Sequence, residues 1–140
     1  MIRNEWKTTA ALALLVFAAV PVRAADDGTK ALPPDVQATV NDIAKQMAQV
    51  RETDVELSCD KGVENARYGL ETMLEVGQKN ADGGYIKREE FNAMATQLRG
   101  FLSQITVADC QSAEGEKQAF YRCMSSDYNH VTACAAKHRF

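Results

Sequence analysis

The chain has 140 residues, with 16 Lys and Arg against 19 Asp and Glu. This length corresponds to one domain, and the acidic balance argues against a nucleic acid or an anionic membrane surface as the partner. Residues 1–24 contain three of the basic and one of the acidic residues, so the rest of the chain has 13 basic and 18 acidic residues and a net charge of −5.

The first 24 residues have the pattern of a secretory signal peptide. Arg3 and Lys7 precede an apolar run from Thr8 to Val22, and Ala24 ends a segment suited to cleavage. The run is shorter than the roughly 20 residues that a membrane-spanning helix needs. We therefore predict cleavage near Ala24, export to a bacterial periplasm or beyond, and no stable membrane anchor on the mature protein.

Residues 25–34 predict a flexible linker, and residues 35–140 a single helical domain. Two prolines end the linker, and Asp35 is suited to capping the first turn of a helix. The helix that follows has apolar residues at spacings of 4, 3, 4 and 3, which form one stripe that we expect to pack into the core. The stripe consists of Val36, Val40, Ile43, Met47 and Val50.

The remaining helices are predicted from apolar periodicity and from residues that end helices. A second helix is expected over about 58–76, with Gly77 as its stop, and a third over about 87–106. Two more are expected over about 114–124 and 128–137. No segment alternates as a strand would, so the predicted fold class is all-α: a small disulfide-stapled helical bundle of four main helices plus a short C-terminal fifth.

The turn between the second and third helices contains a sequence of interest. Residues 79–91, KNADGGYIKREEF, resemble the second half of an EF-hand calcium loop. One alignment places Lys79 at the first ligand position, where a cation cannot bind calcium. The other begins at Gln78, a neutral amide, and supplies only two carboxylates, Asp82 and Glu89. We therefore predict a turn between antiparallel helices, and no metal site.

Four cysteines follow the signal peptide: Cys59, Cys110, Cys123 and Cys134. An even count in an exported chain predicts two disulfides. The chain has no C-x-x-C pair, so the cysteine spacing does not suggest a metal or a cofactor. The short turn makes the second and third helices antiparallel, which brings Cys59 close to Cys110. Cys123 and Cys134 can then bond to each other only if the helix breaks between them, at residues 125–129. A continuous C-terminal helix would instead require each of them to pair with Cys59 or Cys110.

Few residues in the chain suggest catalysis. Glu64, Glu71 and Glu75 share one helical face, but that face is opposite the apolar one, where acids are usually solvated. His130 and His138 have no nucleophile motif nearby. A small cell-wall hydrolase, or another small envelope enzyme, is therefore the alternative hypothesis.

The preferred hypothesis is a non-catalytic protein-binding or inhibitory module. Tyr121, Arg122, Tyr128 and His130 cluster near the predicted helix break, and Tyr and Arg are enriched at binding hot spots. Small exported helical domains include immunity proteins, inhibitors and envelope assembly factors, by class-level analogy. The expected partner is another envelope or secreted protein.

Overall fold

The computed structural model describes residues 28–140, and this part of the chain is all-helical, with six helices and no strand. The predicted signal peptide, residues 1–24, lies outside the described residues. Among those described, no helix combines the length and the apolar character needed to cross a membrane. The helices are α1 (Pro34–Met47), α2 (Cys59–Asp82), α3 (Arg88–Gln104), α4 (Val107–Ser112), α5 (Gly115–Met124) and α6 (Val131–Lys137).

Helices α2 and α3 form the predicted antiparallel hairpin, but α2 is longer than predicted. It continues through Gly77 to Asp82, and the chain reverses at Gly84, whose φ of +79° favours glycine. A Cβ on Gly77 would lie 2.7 Å from the terminal methyl carbon of Met94 and 3.1 Å from the ring of Phe91. Gly77 is therefore a site of close packing against α3, and not the helix stop that we predicted.

Helices α5 and α6 pack across α2 and enclose the core. A Cβ on Gly69 would lie 2.9 Å from Val131 of α6, which shows how closely the two helices approach. Aromatic rings fill the centre, where Phe120 and Tyr121 meet edge to face at 5.4 Å. The largest fully buried side chains are Tyr121, Phe120, Ile105, Met124, Cys110 and Cys134.

Two disulfides join these elements in the pairing that we predicted. Cys59 bonds to Cys110 with 5.6 Å between the Cα atoms, and Cys123 bonds to Cys134 with 5.7 Å. The second bond is possible because the chain leaves the helical conformation between α5 and α6. The helix break and the antiparallel hairpin, on which the predicted pairing depended, are both present.

Two short segments differ from the sequence-based expectation. The helix α4 was not predicted, because it has only six residues; Thr106 caps it by accepting a hydrogen bond from the Asp109 N–H at 3.1 Å. At the other end of the chain Asp35 does not cap α1, which begins at Pro34 without a side-chain cap. Proline suits the first helical position because its missing N–H would have no helical partner there.

Candidate functional site

The apolar side of α1 is exposed. Val36, Val40, Ile43 and Met47, called the α1 stripe below, are 40, 44, 51 and 37 % exposed. No residue of α1 is buried. Our expectation that this stripe packs into the core is therefore wrong for all four residues, and only Val50, beyond the helix, packs against the core.

Contacts near both ends of α1 attach it to the domain. Before the helix, the Lys30 N–H donates to the Gly84 carbonyl at 2.8 Å, and the Lys30 ammonium lies 5.7 Å from the centre of the Tyr85 ring. At the other end, the Thr132 hydroxyl donates to the Met47 carbonyl at 3.1 Å. These contacts hold α1 between the α2–α3 turn and the start of α6 while its own side chains remain exposed.

Uncharged residues border the α1 stripe. In a heptad register the stripe occupies the two seam positions, and the adjoining positions hold Gln37, Thr39, Ala44 and Gln46. The charged residues of the helix are Asp35, Asp42 and Lys45, and the last two pair with each other at 3.3 Å. With one cation and two anions, α1 lacks the basic polar face of helices that bind anionic membranes.

The loop between α5 and α6 fixes the extended segment that leads from α1 to α2. The Asn129 side-chain oxygen accepts from the N–H groups of Arg51 and Glu52 at 2.8 and 3.0 Å, and its nitrogen donates to the Glu52 carbonyl at 2.7 Å. The Ser126 hydroxyl donates to the Glu52 carboxylate at 2.6 Å. From the sequence we predicted a helix break with binding residues near it; the structure also shows hydrogen bonds from this loop to a segment more than 70 residues away in the sequence.

Tyr121 was predicted to lie on a binding surface, but it is fully buried in the core. Its hydroxyl donates to a carboxylate oxygen of Asp109 at 2.6 Å. Burial raises the pKa of Tyr121 far above its usual value, and the Asp109 carboxylate raises it further. Tyr121 therefore connects α5 to α4, and is not available to a partner protein.

The other three predicted binding residues differ in their exposure. Arg122 and Tyr128 are exposed, Tyr128 at 69 %. His130 is half-buried and caps α6, because its Nδ1 accepts from the Thr132 N–H at 3.2 Å. Burial lowers the pKa of His130, which favours the neutral imidazole that a cap requires.

The residues of the EF-hand resemblance are mostly helical. Gln78 and Asp82, which would be ligands in the better alignment, lie in the last turns of α2. The Gln78 amide donates to the Asp82 carboxylate at 2.8 Å, and the Arg88 guanidinium donates to the same oxygen. The segment thus forms a helix end and a turn, a geometry unlike a loop wrapped around an ion.

The carboxylates considered for catalysis lie in solvent. Glu64, Glu71 and Glu75 are all exposed on α2. The hydrogen bond and charge of Lys79 lower the pKa of Glu75, whereas a general acid at neutral pH needs a raised pKa. Asp127, which could have oriented His130, instead pairs with Lys61 at 2.7 Å.

Among the described residues, the α1 stripe places four exposed apolar side chains on one face of a helix. No family model, no curated protein and no solved structure matches the chain. The stripe was visible in the sequence as a spacing, but periodicity alone does not reveal whether a stripe faces its own core or another protein.

Proposed function

We propose that the protein is an exported, non-catalytic protein-binding module whose α1 stripe docks into an apolar groove on another exported protein. The observation that carries this proposal is the exposure of all four stripe residues on a helix that buries none of its own residues. Exposed contiguous apolar side chains rimmed by polar residues are typical of interaction sites.

The spacing and the length of α1 favour a groove as the receiving surface. The anchors fall at positions i, i+4, i+7 and i+11, the pattern of a helix that lies in an apolar groove. A helix of 14 residues is about 21 Å long. One equal helix laid against it covers only one side, whereas stable interfaces bury about 1,200 Å² or more. A groove contacts more of the helix circumference, so a partner protein fits better than a second copy of this chain.

The charges favour a partner whose groove is itself uncharged. Because Gln37, Thr39, Ala44 and Gln46 border the stripe, no ion pair would steer or select the partner there. Specificity would come from the shape of the groove.

Export of the module stays a prediction from residues 1–24, and the two disulfides are compatible with it. Immunity, inhibitor and envelope assembly proteins are classes with this kind of action.

The test compares two aspartate substitutions on opposite sides of α1. Ile43→Asp places a charge in the stripe, and Ala38→Asp places the same charge on the outer face of the same helix. Each mature variant is immobilised and used to capture proteins from the periplasmic and secreted fractions. We expect the immobilised wild type and Ala38→Asp to capture one partner protein in stoichiometric amounts, and Ile43→Asp not to capture it. Titration calorimetry with that purified partner should show at least a tenfold weaker affinity for Ile43→Asp.

Three results would contradict the proposal. A partner that binds both variants equally would show that the stripe is not the docking surface. Sedimentation of the wild type as a dimer, reversed by Ile43→Asp, would identify a second copy as the occupant. Release of soluble fragments from purified peptidoglycan would favour the cell-wall hydrolase.

A further inference from the structure

A small groove lies beneath the extended segment between α1 and α2, away from the stripe. It has a volume of about 130 Å³. Val50 and Val55 line it from the segment, and Ala119 and Cys123 line it from α5. The groove therefore has an apolar floor that includes one end of a disulfide.

Basic residues outnumber acidic ones around this groove, although the chain as a whole is acidic. Arg122, Lys137 and His138 contribute to the lining, and Glu52 is the one acidic residue there. The His138 Nδ1 lies 3.1 Å from the Glu116 carboxylate, and the Glu52 carboxylate accepts a hydrogen bond from the Ser126 hydroxyl. Within residues 28–140 the side chains of Arg122 and Lys137 have no hydrogen bond or ion pair. Two positive groups are thus free to bind a ligand.

The segment over the groove is held in place before any ligand binds. The Asn129 side chain bonds the N–H groups of Arg51 and Glu52, and it also donates to the Cys123 carbonyl at 3.0 Å. This single side chain therefore connects both walls of the groove. A site that is already ordered loses less conformational entropy on binding.

We propose that this groove binds the free carboxylate of an apolar C-terminal residue of another polypeptide. The carboxylate would pair with Arg122, whose planar guanidinium matches it, and with Lys137. The apolar side chain would lie against Val50, Val55 and Ala119. Phe140 is not the occupant, because its ring packs against Phe101 and Phe120 instead.

The test uses N-acetyl-Ala-Leu with a free carboxylate and the same dipeptide as its C-terminal amide. Each is titrated into ¹⁵N-labelled mature protein and followed by amide chemical shifts. We expect saturable shifts for Val55, Ala119 and Cys123 with the acid, and at least tenfold weaker binding of the amide. Arg122→Gln should weaken binding of the acid by tenfold or more. Arg139→Gln removes the same charge from an exposed residue outside the groove. This control variant should therefore bind the acid with wild-type affinity.

Other outcomes overturn the inference. Equal binding of acid and amide would mean that the carboxylate is not recognised, and equal weakening by Arg122→Gln and Arg139→Gln would indicate general charge attraction. Absence of saturable shifts would show that no such site exists. Because Arg122 is exposed, its variant should unfold at the wild-type temperature. This site does not involve α1, so Ile43→Asp should bind the acid normally even if the stripe has no partner.

Discussion

Gly62 is a residue of α2 that lies close against α5. A Cβ there would lie 2.6 Å from the Tyr121 carbonyl oxygen and 3.2 Å from the Ser125 hydroxyl. The backbone oxygen cannot move unless α5 moves with it, so we expect Gly62→Ala to lower the free energy of unfolding by about 1–3 kcal/mol. Urea unfolding followed by circular dichroism measures this change.

Gly100 provides the matched control for this substitution. It lies in α3, and a Cβ there would have no atom within 4 Å. Because alanine favours the helix over glycine, Gly100→Ala should raise the free energy of unfolding by about 0.5–1 kcal/mol. A stabilising effect of both substitutions would contradict the close approach of α2 and α5.

Asp109 should make stability depend on pH in acid. Burial raises the pKa of this carboxyl, but hydrogen bonds from Lys117 at 2.5 Å and Tyr121 at 2.6 Å outweigh burial, so the pKa lies below its ordinary 3.8. The unfolded chain therefore takes up the proton first. The stabilisation is fully present above about pH 5, where the carboxyl is ionised in the unfolded chain too, and it is lost as the pH falls through the lower folded pKa.

Asp109→Asn tests this coupling. At pH 6 the variant should unfold at lower urea concentration than the wild type, and the difference should narrow as the pH falls from 5 to 2. Asp54→Asn, at an exposed residue of the extended segment, should follow the wild-type profile. If the wild type and Asp109→Asn differ in unfolding urea concentration by the same amount at every pH, ionisation of Asp109 is not the cause of the pH dependence.

At the scale of the helices, the sequence predicts which residues form an apolar stripe. It does not predict whether that stripe packs against the protein's own core or stays exposed. Phe91 of α3 and Ile105, which follows α3, are buried as their spacing predicts, whereas the α1 stripe, which is also periodic, is exposed. The same pattern serves a core and an interface, since both remove apolar surface from water. Tyr121 shows the converse: a residue type common in interfaces lies in the core, where its hydroxyl donates a hydrogen bond to Asp109.

The exposure of α1 predicts that a charge in its stripe does not unfold the domain. We expect Ile43→Asp to change the free energy of unfolding by no more than about 0.5 kcal/mol, apart from a small difference in helix propensity. Leu70→Ala, at a residue 3 % exposed in α2, should cost about 2–5 kcal/mol. Strong destabilisation by Ile43→Asp in denaturant unfolding would mean that α1 packs on the domain.

At the scale of the whole molecule, the two disulfides follow from topology. The short turn at Gly84 makes α2 and α3 antiparallel, which places Cys59 near the chain that follows α3. The helix break then lets α6 fold back onto α5. These relations were predictable because turn residues and helix ends are local features, whereas the bonds between Asn129 and residues 51–52 join positions more than 75 residues apart.

The disulfides should differ in their contribution to stability. Cys59–Cys110 closes a loop of 51 residues and Cys123–Cys134 one of 11. The chain-entropy relation gives about 4 kcal/mol for the first and about 3 kcal/mol for the second. Cys123 and Cys134 are both buried, whereas Cys59 of the other pair is only partly buried beside the buried Cys110. Replacing Cys123–Cys134 by alanine therefore loses the more packing, so a larger effect of removing Cys59–Cys110 would reflect the loop.

Urea unfolding of the two double-alanine variants measures this difference. Small domains have only about 5–15 kcal/mol of total stability, so the variant without Cys59–Cys110 should be the less stable by about 1 kcal/mol and the first to unfold on warming. The reverse order would show that the short bond, which holds α6 against α5 and α2, matters through native packing more than through the entropy of the unfolded chain.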